Sequence, residues 1–281
     1  MVKEFLGNLE LNKVYCMDCI EGMRMIPDES IDLVVTSPPY AEQRKHQYRS
    51  IPEKEYPQWT VLWMNEVRRI LKPEGSVIIN IRPHLKNGQI SDYVLRTRLA
   101  LRENGWSENE ELIWIKPDAP PMGSIHRPRR SWESLLWFGK SGKVYCNPKA
   151  NGNESNRVGF ESKKGVGEYK HGTSKAKKGI SRCRDYVEIG TSKVDRSDYN
   201  THPAQYPVQL VEWLIKMLST KNSIVLDPFI GSGTTAVAAV RTGRHFIGFE
   251  IESEYVAIAN QRLEAVYDEI AERRLTDDNE V

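Results

Sequence analysis

Cysteine is scarce in this chain of 281 residues: only Cys16, Cys19, Cys146 and Cys183. They are too few and too scattered for a disulfide framework. Cys16 and Cys19 form a CxxC pair, yet no second pair or nearby histidine completes a ligand set, so no metal site is expected. Long apolar runs are missing as well, which excludes a membrane-spanning helix, and Met1–Phe5 has no signal-peptide apolar core. Nor does charge of one sign dominate, since 40 Lys and Arg stand against 38 Asp and Glu. These absences point to a reducing, cytoplasmic setting and a globular protein with a substantial core. Partners have to be read from how the charge is distributed.

That distribution is uneven. Residues 140–200 hold 14 Lys and Arg against 7 Asp and Glu, a local balance of +7 that leaves about −5 for the remainder of a chain at +2. The segment is rich in Gly, Asn, Ser and Lys, poor in aliphatics and without sustained periodicity, so it builds no large core of its own. Just before it stands His126-Arg127-Pro128-Arg129-Arg130. An inserted nucleic-acid-binding region is expected, with Arg127, Arg129 and Arg130 at its edge. A solvated excursion is the plainer alternative.

Outside the insertion, strands and helices alternate. Residues 13–18 read as a short strand ending in Asp18, 20–25 as a brief helical turn, and 31–36 as a buried parallel strand. Residues 41–57, with Arg44, Lys45, His46, Tyr48 and Arg49, suggest a lid that touches a polyanion. Helices are expected over 57–71, 91–103, 208–218, 236–240 and 254–274, with strands at 76–81, 111–115, 134–138, 223–226 and 245–250. Trp114, Trp132 and Trp137 are expected as packing residues. Residues from 276 read as a frayed tail.

Two strand ends carry chemistry. The first is Thr36-Ser37-Pro38-Pro39-Tyr40, where two prolines stop a strand beside a hydroxyl and an aromatic ring. The second is Asp227-Pro228-Phe229-Ile230-Gly231-Ser232-Gly233-Thr234-Thr235, between a strand and a helix. Its glycines allow close backbone approach to a ligand, and the helix N-terminus offers free N–H groups to an anion. Glu250 ends the next strand, where a ribose-binding carboxylate is expected. The glycine spacing departs from G-x-G-x-x-G, which argues against a nucleotide-dependent dehydrogenase, as does the lack of a hydride-site histidine.

Together, TSPPY at 36–40 and DPFIGSGTT at 227–235 resemble the amino-methyltransferases of DNA that use S-adenosylmethionine. The catalytic motif first and the cofactor motif late is similar to the order of their β group, and the likeness covers most of the chain outside 140–200. It implies a Rossmann-like α/β fold: a doubly wound, mostly parallel sheet, circularly permuted among class I methyltransferases, with an inserted DNA-recognition region. Residues 1–139 would form the catalytic half, 140–200 the target-recognition region and 201–275 the cofactor half. Asp227, Phe229, Gly231, Gly233 and Thr234 would hold the methionine end of the cofactor. Glu250 would take the ribose hydroxyls, Asp18 would lie near the adenine, and Tyr206 would pack against the cofactor. His202 reads as a helix-entry or packing residue.

The resemblance assigns catalysis to Ser37, Pro38, Pro39 and Tyr40. Ser37 Oγ and the Pro38 carbonyl would accept the N–H groups of an exocyclic amine, and the prolines hold that carbonyl in place. Tyr40 would offer a face to a base flipped out of double-stranded DNA, stacking typically worth ~1–3 kcal/mol. Family members with Ser at this position mostly modify cytosine N4, and those with Asp mostly adenine N6. Ser37 therefore points to N4-cytosine, with N6-adenine as the alternative and a catalytically silent DNA- and cofactor-binding subunit as a third reading. A monomer or homodimer in a bacterial or phage modification setting, with or without a cognate restriction endonuclease, is the expected context.

Overall fold

The computed structural model describes residues 3–42, 51–120, 125–158, 177–191 and 206–277. A small hairpin, β1 (Phe5–Leu6) with β2 (Leu9–Glu10), precedes β3 (Lys13–Cys16) and helix α1 (Cys19–Arg24). Then follow β4 (Ile31–Thr36), α2 (Tyr56–Ile70), β5 (Leu71–Ile81), a second hairpin of β6 (Leu85–Lys86) and β7 (Gln89–Ile90), and α3 (Tyr93–Glu103). Strands β8 (Ser107–Ile115) and β9 (Trp132–Gly139) lead into β10 (Glu154–Val158), β11 (Lys177–Ile180) and β12 (Tyr186–Glu188). The chain closes with α4 (Val208–Leu218), β13 (Ile224–Asp227), α5 (Thr234–Arg241), β14 (His245–Glu250) and α6 (Ser253–Asp277).

Eight strands form one sheet in the order β12-β8-β9-β5-β4-β13-β14-β3. Only β9 runs against the others, pairing antiparallel with both β5 and β8. Helices cover both faces, as a parallel sheet requires. Residues of α4, α5 and α6 pack with Leu33, Val35 and Val225 on one face. On the other, α1, α2 and α3 pack with Val34, Val77 and Leu226. Helix α2 enters through Pro57 and buries Trp63, Met64, Val67 and Ile70 at helical spacing. Each such side chain contributes roughly 1.5–3 kcal/mol by leaving water. This is the doubly wound, mostly parallel sheet expected from the sequence.

The two halves of the chain meet at β4 and β13, which pair in parallel at Leu33↔Val225 and Val34↔Leu226. Both ends of that pairing are pinned by carboxylates. At the amino end Asp32 Oδ2 accepts the Ile224 N–H at 2.8 Å while its other oxygen takes Lys72 Nζ at 2.7 Å. At the carboxyl end Thr36 Oγ1 donates to Asp227 Oδ1 at 2.7 Å. A strand early in the chain and one late in it are thereby locked side by side, with both chemical motifs at the same end.

Some elements depart from the sequence reading. Residues 140–200 do not all stand apart from the main sheet, because β12 joins its edge in parallel with β8. Val187 and Ile189 pack against the core from there. Trp114 and Trp137 are buried, but Trp132 is 48% exposed and is not a core residue. It sits at the first position of β9, where the sheet ends. The basic residues of the expected lid, residues 43–50, lie outside the described residues, as do His202 and residues from 278.

Candidate active site

The carboxyl ends of β4 and β13 put Ser37 one residue past the Thr36–Asp227 bond. Asp227 is 1% exposed and takes four hydrogen bonds. Oδ1 accepts from Thr36 Oγ1 and from the Phe229 N–H at 3.0 Å, and Oδ2 from Thr235 Oγ1 at 2.6 Å and Tyr206 OH at 3.1 Å. Burial pushes its carboxyl up, and these donors pull it partly back. Asp227 is thus the knot that ties the TSPPY strand end to the Gly-Ser-Gly turn. Tyr206, whose hydroxyl also meets Thr235 Oγ1 at 2.7 Å, is buried in the core and belongs to the same knot. Burial raises that phenol well above its ordinary range.

The turn itself is built on two left-handed glycines, Gly231 at φ 51° and Gly233 at φ 85°. Gly233 caps α5. A Cβ there would stand 2.8 Å from Ala259 Cβ, so α6 packs too closely for any side chain. Thr234 opens α5 with its backbone N–H directed out of the helix end. Beneath the turn, Arg262 of α6 is buried and donates from Nη1 to the Ser232 carbonyl at 2.7 Å and to Thr234 Oγ1 at 3.3 Å.

Beside the turn stands Phe229, half-buried, with ring centroids 5.5 Å from Trp59 and 5.4 Å from Trp63. Glu250, at the end of β14, is buried and accepts three backbone N–H groups. Gly231 donates to Oε2 at 3.0 Å, and Ile251 and Glu252 donate to Oε1 at 2.9 and 3.0 Å. Desolvation nevertheless raises its carboxyl. The neighbouring strand β3 leads to Asp18, because Met17 N donates to the Glu250 carbonyl at 2.9 Å. Asp18 is exposed and caps α1, accepting the Ile20 N–H at 2.8 Å.

At the TSPPY strand end Ser37, Pro39 and Tyr40 are partly exposed and Pro38 is buried. Tyr40 OH donates to Glu133 Oε2 at 2.9 Å. Burial, with the Glu133 charge beside it, raises that phenol well above its ordinary range. Neither Glu133 nor its partner Lys116 was conspicuous in the sequence, since Glu133 is on β9, Lys116 follows the end of β8, and no local pattern joins them. The same holds for Arg262 and for Asn80. Asn80 is 5% exposed, and its Oδ1 is buried without a hydrogen-bond partner. Thr36 pairs with Ile79, so Asn80 lies beside Ser37 in register.

The three arginines are not equivalent. Arg127 is exposed and donates to the Gly88 carbonyl at 2.5 Å, and Arg129 is exposed with two long bonds of 3.4 Å to the Ala119 and Pro117 carbonyls. Arg130 turns inward to the Pro83 carbonyl, and its partial desolvation lowers its proton affinity. Among the described residues Glu42, Glu53 and His84 lie close enough to share a cation, but Lys86 already bridges both glutamates at 2.9 and 3.2 Å. Also among them, no helix is long and apolar enough to cross a membrane.

With the geometry in view, comparison with known proteins is informative. A family model described as DNA methylase matches residues 31–261, spanning both motifs. The type II methyltransferase M.BglII of Bacillus subtilis is 32% identical over 263 residues, covering 92% of this chain and 71% of that protein. A solved structure of the PvuII DNA methyltransferase (cytosine-N4-specific) superposes with a TM-score of 0.70 at 26% identity, covering 92% of this chain and 91% of the other. The M1.HpyAVI–SAM complex shares the fold, with a TM-score of 0.60 at 23% identity over 89% of this chain and 98% of the other.

Proposed function

The chain belongs to the N6/N4 DNA methylase family, and on that premise we propose that it transfers a methyl group from S-adenosylmethionine to the N4 amine of a cytosine flipped out of double-stranded DNA. The observation that carries the choice of amine is Ser37, a neutral hydroxyl where an acidic acceptor would favour adenine. The similarity to a cytosine-N4-specific enzyme over nearly the whole chain supports it.

The residues fit the cofactor. The cradle at Gly231 and Gly233 is one that a Cβ would fill, and the N–H groups opening α5 suit the amino acid's carboxylate. Phe229 and Thr234 would flank that end. Glu250 Oε2 has a lone pair beyond the Gly231 bond to offer a ribose hydroxyl. Asp18, one strand over, would meet the adenine. Asp227 and Tyr206 would act from behind, holding the turn, because their polar atoms are already engaged. When bound, the cofactor supplies an electrophilic methyl on a positively charged sulfur. The chain's task is to deliver the amine lone pair to it.

That lone pair is delocalised into the ring, so the amine is a poor nucleophile. Ser37 Oγ and the Pro38 carbonyl would accept its two N–H groups and draw the nitrogen toward tetrahedral geometry, preorganised by the two fixed prolines. Tyr40 would pack on the base, and Arg127 and Arg129 would meet the DNA backbone beside residues 140–200.

Two results are expected. Unmethylated plasmid DNA incubated with labelled S-adenosylmethionine and digested to nucleosides should yield N4-methylcytosine by mass; N6-methyladenine alone would overturn the choice of base. Gly233→Ala should cost about 1–2 kcal/mol of stability from the positive φ and the contact with Ala259. It should also weaken S-adenosylmethionine binding at least tenfold by equilibrium dialysis, and unchanged affinity would remove the turn from the cofactor site.

A further inference from the structure

At the carboxyl end of the sheet, beside Tyr40, two arginines come together that no motif includes. Ile81, the last residue of β5, pairs with Ser134 of β9, so Arg82 comes level with Glu133 as the strands end. Arg130 stands just before β9 begins. The pair cross-braces its loops. Arg82 donates from Nη1 to the Arg130 carbonyl at 3.2 Å, and Arg130 donates from Nη2 to the Pro83 carbonyl. Their backbones are held in turn, since Tyr93 OH donates to the Arg82 carbonyl at 2.7 Å and the Lys116 N–H to the Ser131 carbonyl at 2.7 Å.

The charge at this place does not balance. Both residues are half-buried, and among the described residues each guanidinium makes that single hydrogen bond and no ion pair. A guanidinium has N–H donors to spare beyond one such bond. Glu133 is the carboxylate that acts on both, but it is already paired with Lys116 and accepts from Tyr40 OH at 2.9 Å. Glu42 and Glu53 are taken by Lys86, and Glu53 by His84 as well. Lys116, Arg82 and Arg130 thus share one carboxylate. Desolvation lowers the proton affinity of both arginines, and the charge of Arg130 lowers that of Arg82 further. Half-buried like charges without a carboxylate of their own cost stability, and an anion from outside would offset that cost.

We propose that Arg82 and Arg130 form a phosphate site at the mouth of the cleft, holding the DNA phosphodiester next to the nucleotide that packs on Tyr40. This rests on the reading that the chain flips a base out of DNA against Tyr40. A phosphodiester supplies the missing negative charge, and the planar fork of a guanidinium suits its unesterified oxygens. The exposed Arg127 and Arg129 remain for the duplex outside, whereas the half-buried pair serves the extruded nucleotide.

The test is kcat/KM for unmethylated plasmid DNA, measured for Arg82→Gln and the unaltered enzyme between about 50 and 200 mM KCl. Loss of one phosphate contact should lower kcat/KM about tenfold to a hundredfold and make its logarithm fall less steeply with log salt, by about 0.9 in slope. The Kd for S-adenosylmethionine should be unchanged, and Tm should hold or rise because the like charges are separated. Arg82→Lys keeps the charge but not the fork, so it should restore the slope while recovering only part of kcat/KM. An unaltered slope in Arg82→Gln, or failure of both variants to fold, would assign the pair to bracing its loops and overturn the proposal. The nucleoside product of the unaltered enzyme reports separately. An amino-methylated base with an unaltered slope sinks the phosphate site alone, and no amino-methylated base sinks the reading of the cleft.

Discussion

Ser37→Ala is expected to lower turnover by about 10²–10³-fold, the typical cost of removing one preorganised polar contact to the reacting group, while S-adenosylmethionine binding stays within about threefold. The two effects separate because Ser37 lies outside the Asp227 knot. Thr36 still donates to Asp227, and the turn at 231–233 keeps its backbone. What would be lost is one of the two acceptors proposed for the amine, so the nitrogen lone pair would remain conjugated with the ring at the moment of transfer. On the proposed reading the Pro38 carbonyl and the Tyr40 face would still hold the base, so residual activity should be measurable. Single-turnover rates and cofactor titration decide the matter. Equal losses in both would mean that Ser37 serves the fold rather than the chemistry.

Asp227→Ala should be the most damaging single change to stability among the site residues. It leaves the Thr36, Tyr206 and Thr235 hydroxyls and the Phe229 N–H without their acceptor in a fully buried place. Hydroxyls rotate to find alternatives but the N–H cannot, and a loss of about 3–5 kcal/mol is expected. For a chain of this length that is a drop in Tm of roughly 10 °C. Both substrates should bind more weakly, since the catalytic strand end and the cofactor turn would no longer be tied. Asp227→Asn keeps one acceptor oxygen and the shape, so it should cost less than half as much. A variant as stable as the parent would show that the knot is incidental.

The same residue has a pH signature. Burial raises the folded-state pKa of Asp227 above its unfolded value, and Glu250 shares that direction. Folded protein therefore binds these protons more tightly than unfolded chain. Their contribution is fully present below the unfolded carboxylate range near about pH 4 and is lost as pH rises through the folded value. The stability advantage of the parent over Asp227→Asn should accordingly narrow as pH is raised from 4 toward neutrality, measured by urea midpoints. An advantage that widens would reverse the sign assigned to the buried carboxyl.

How much of this was legible beforehand depended on range along the chain. The runs Ile31–Thr36 and Ile224–Asp227 announce buried parallel strands, because apolar side chains on both faces leave no alternation. The TSPPY and GSGTT stretches announce strand ends with chemistry, since prolines and glycines act on the backbone where they stand. Helix α2 was visible through its spacing to within a residue at each end. Trp132 was misread for the same reason that Trp114 was read correctly: composition says that a tryptophan is large and apolar, whereas its place along the strand, here the first residue of β9, says whether anything covers it. Strand β12 was missed because Tyr186–Glu188 is short and lies in a segment otherwise without pattern.

By itself, then, the sequence determined the fold class, the two motifs and the family, because each is written in local backbone preference, burial period or contiguous residues. Only the tertiary structure decided what joins them. The Thr36–Asp227 bond spans 191 positions, the Tyr40–Glu133 bond 93, and Arg262 reaches Ser232 across 30. Such pairings follow from strand order and register, which place side chains together that share no neighbourhood along the chain.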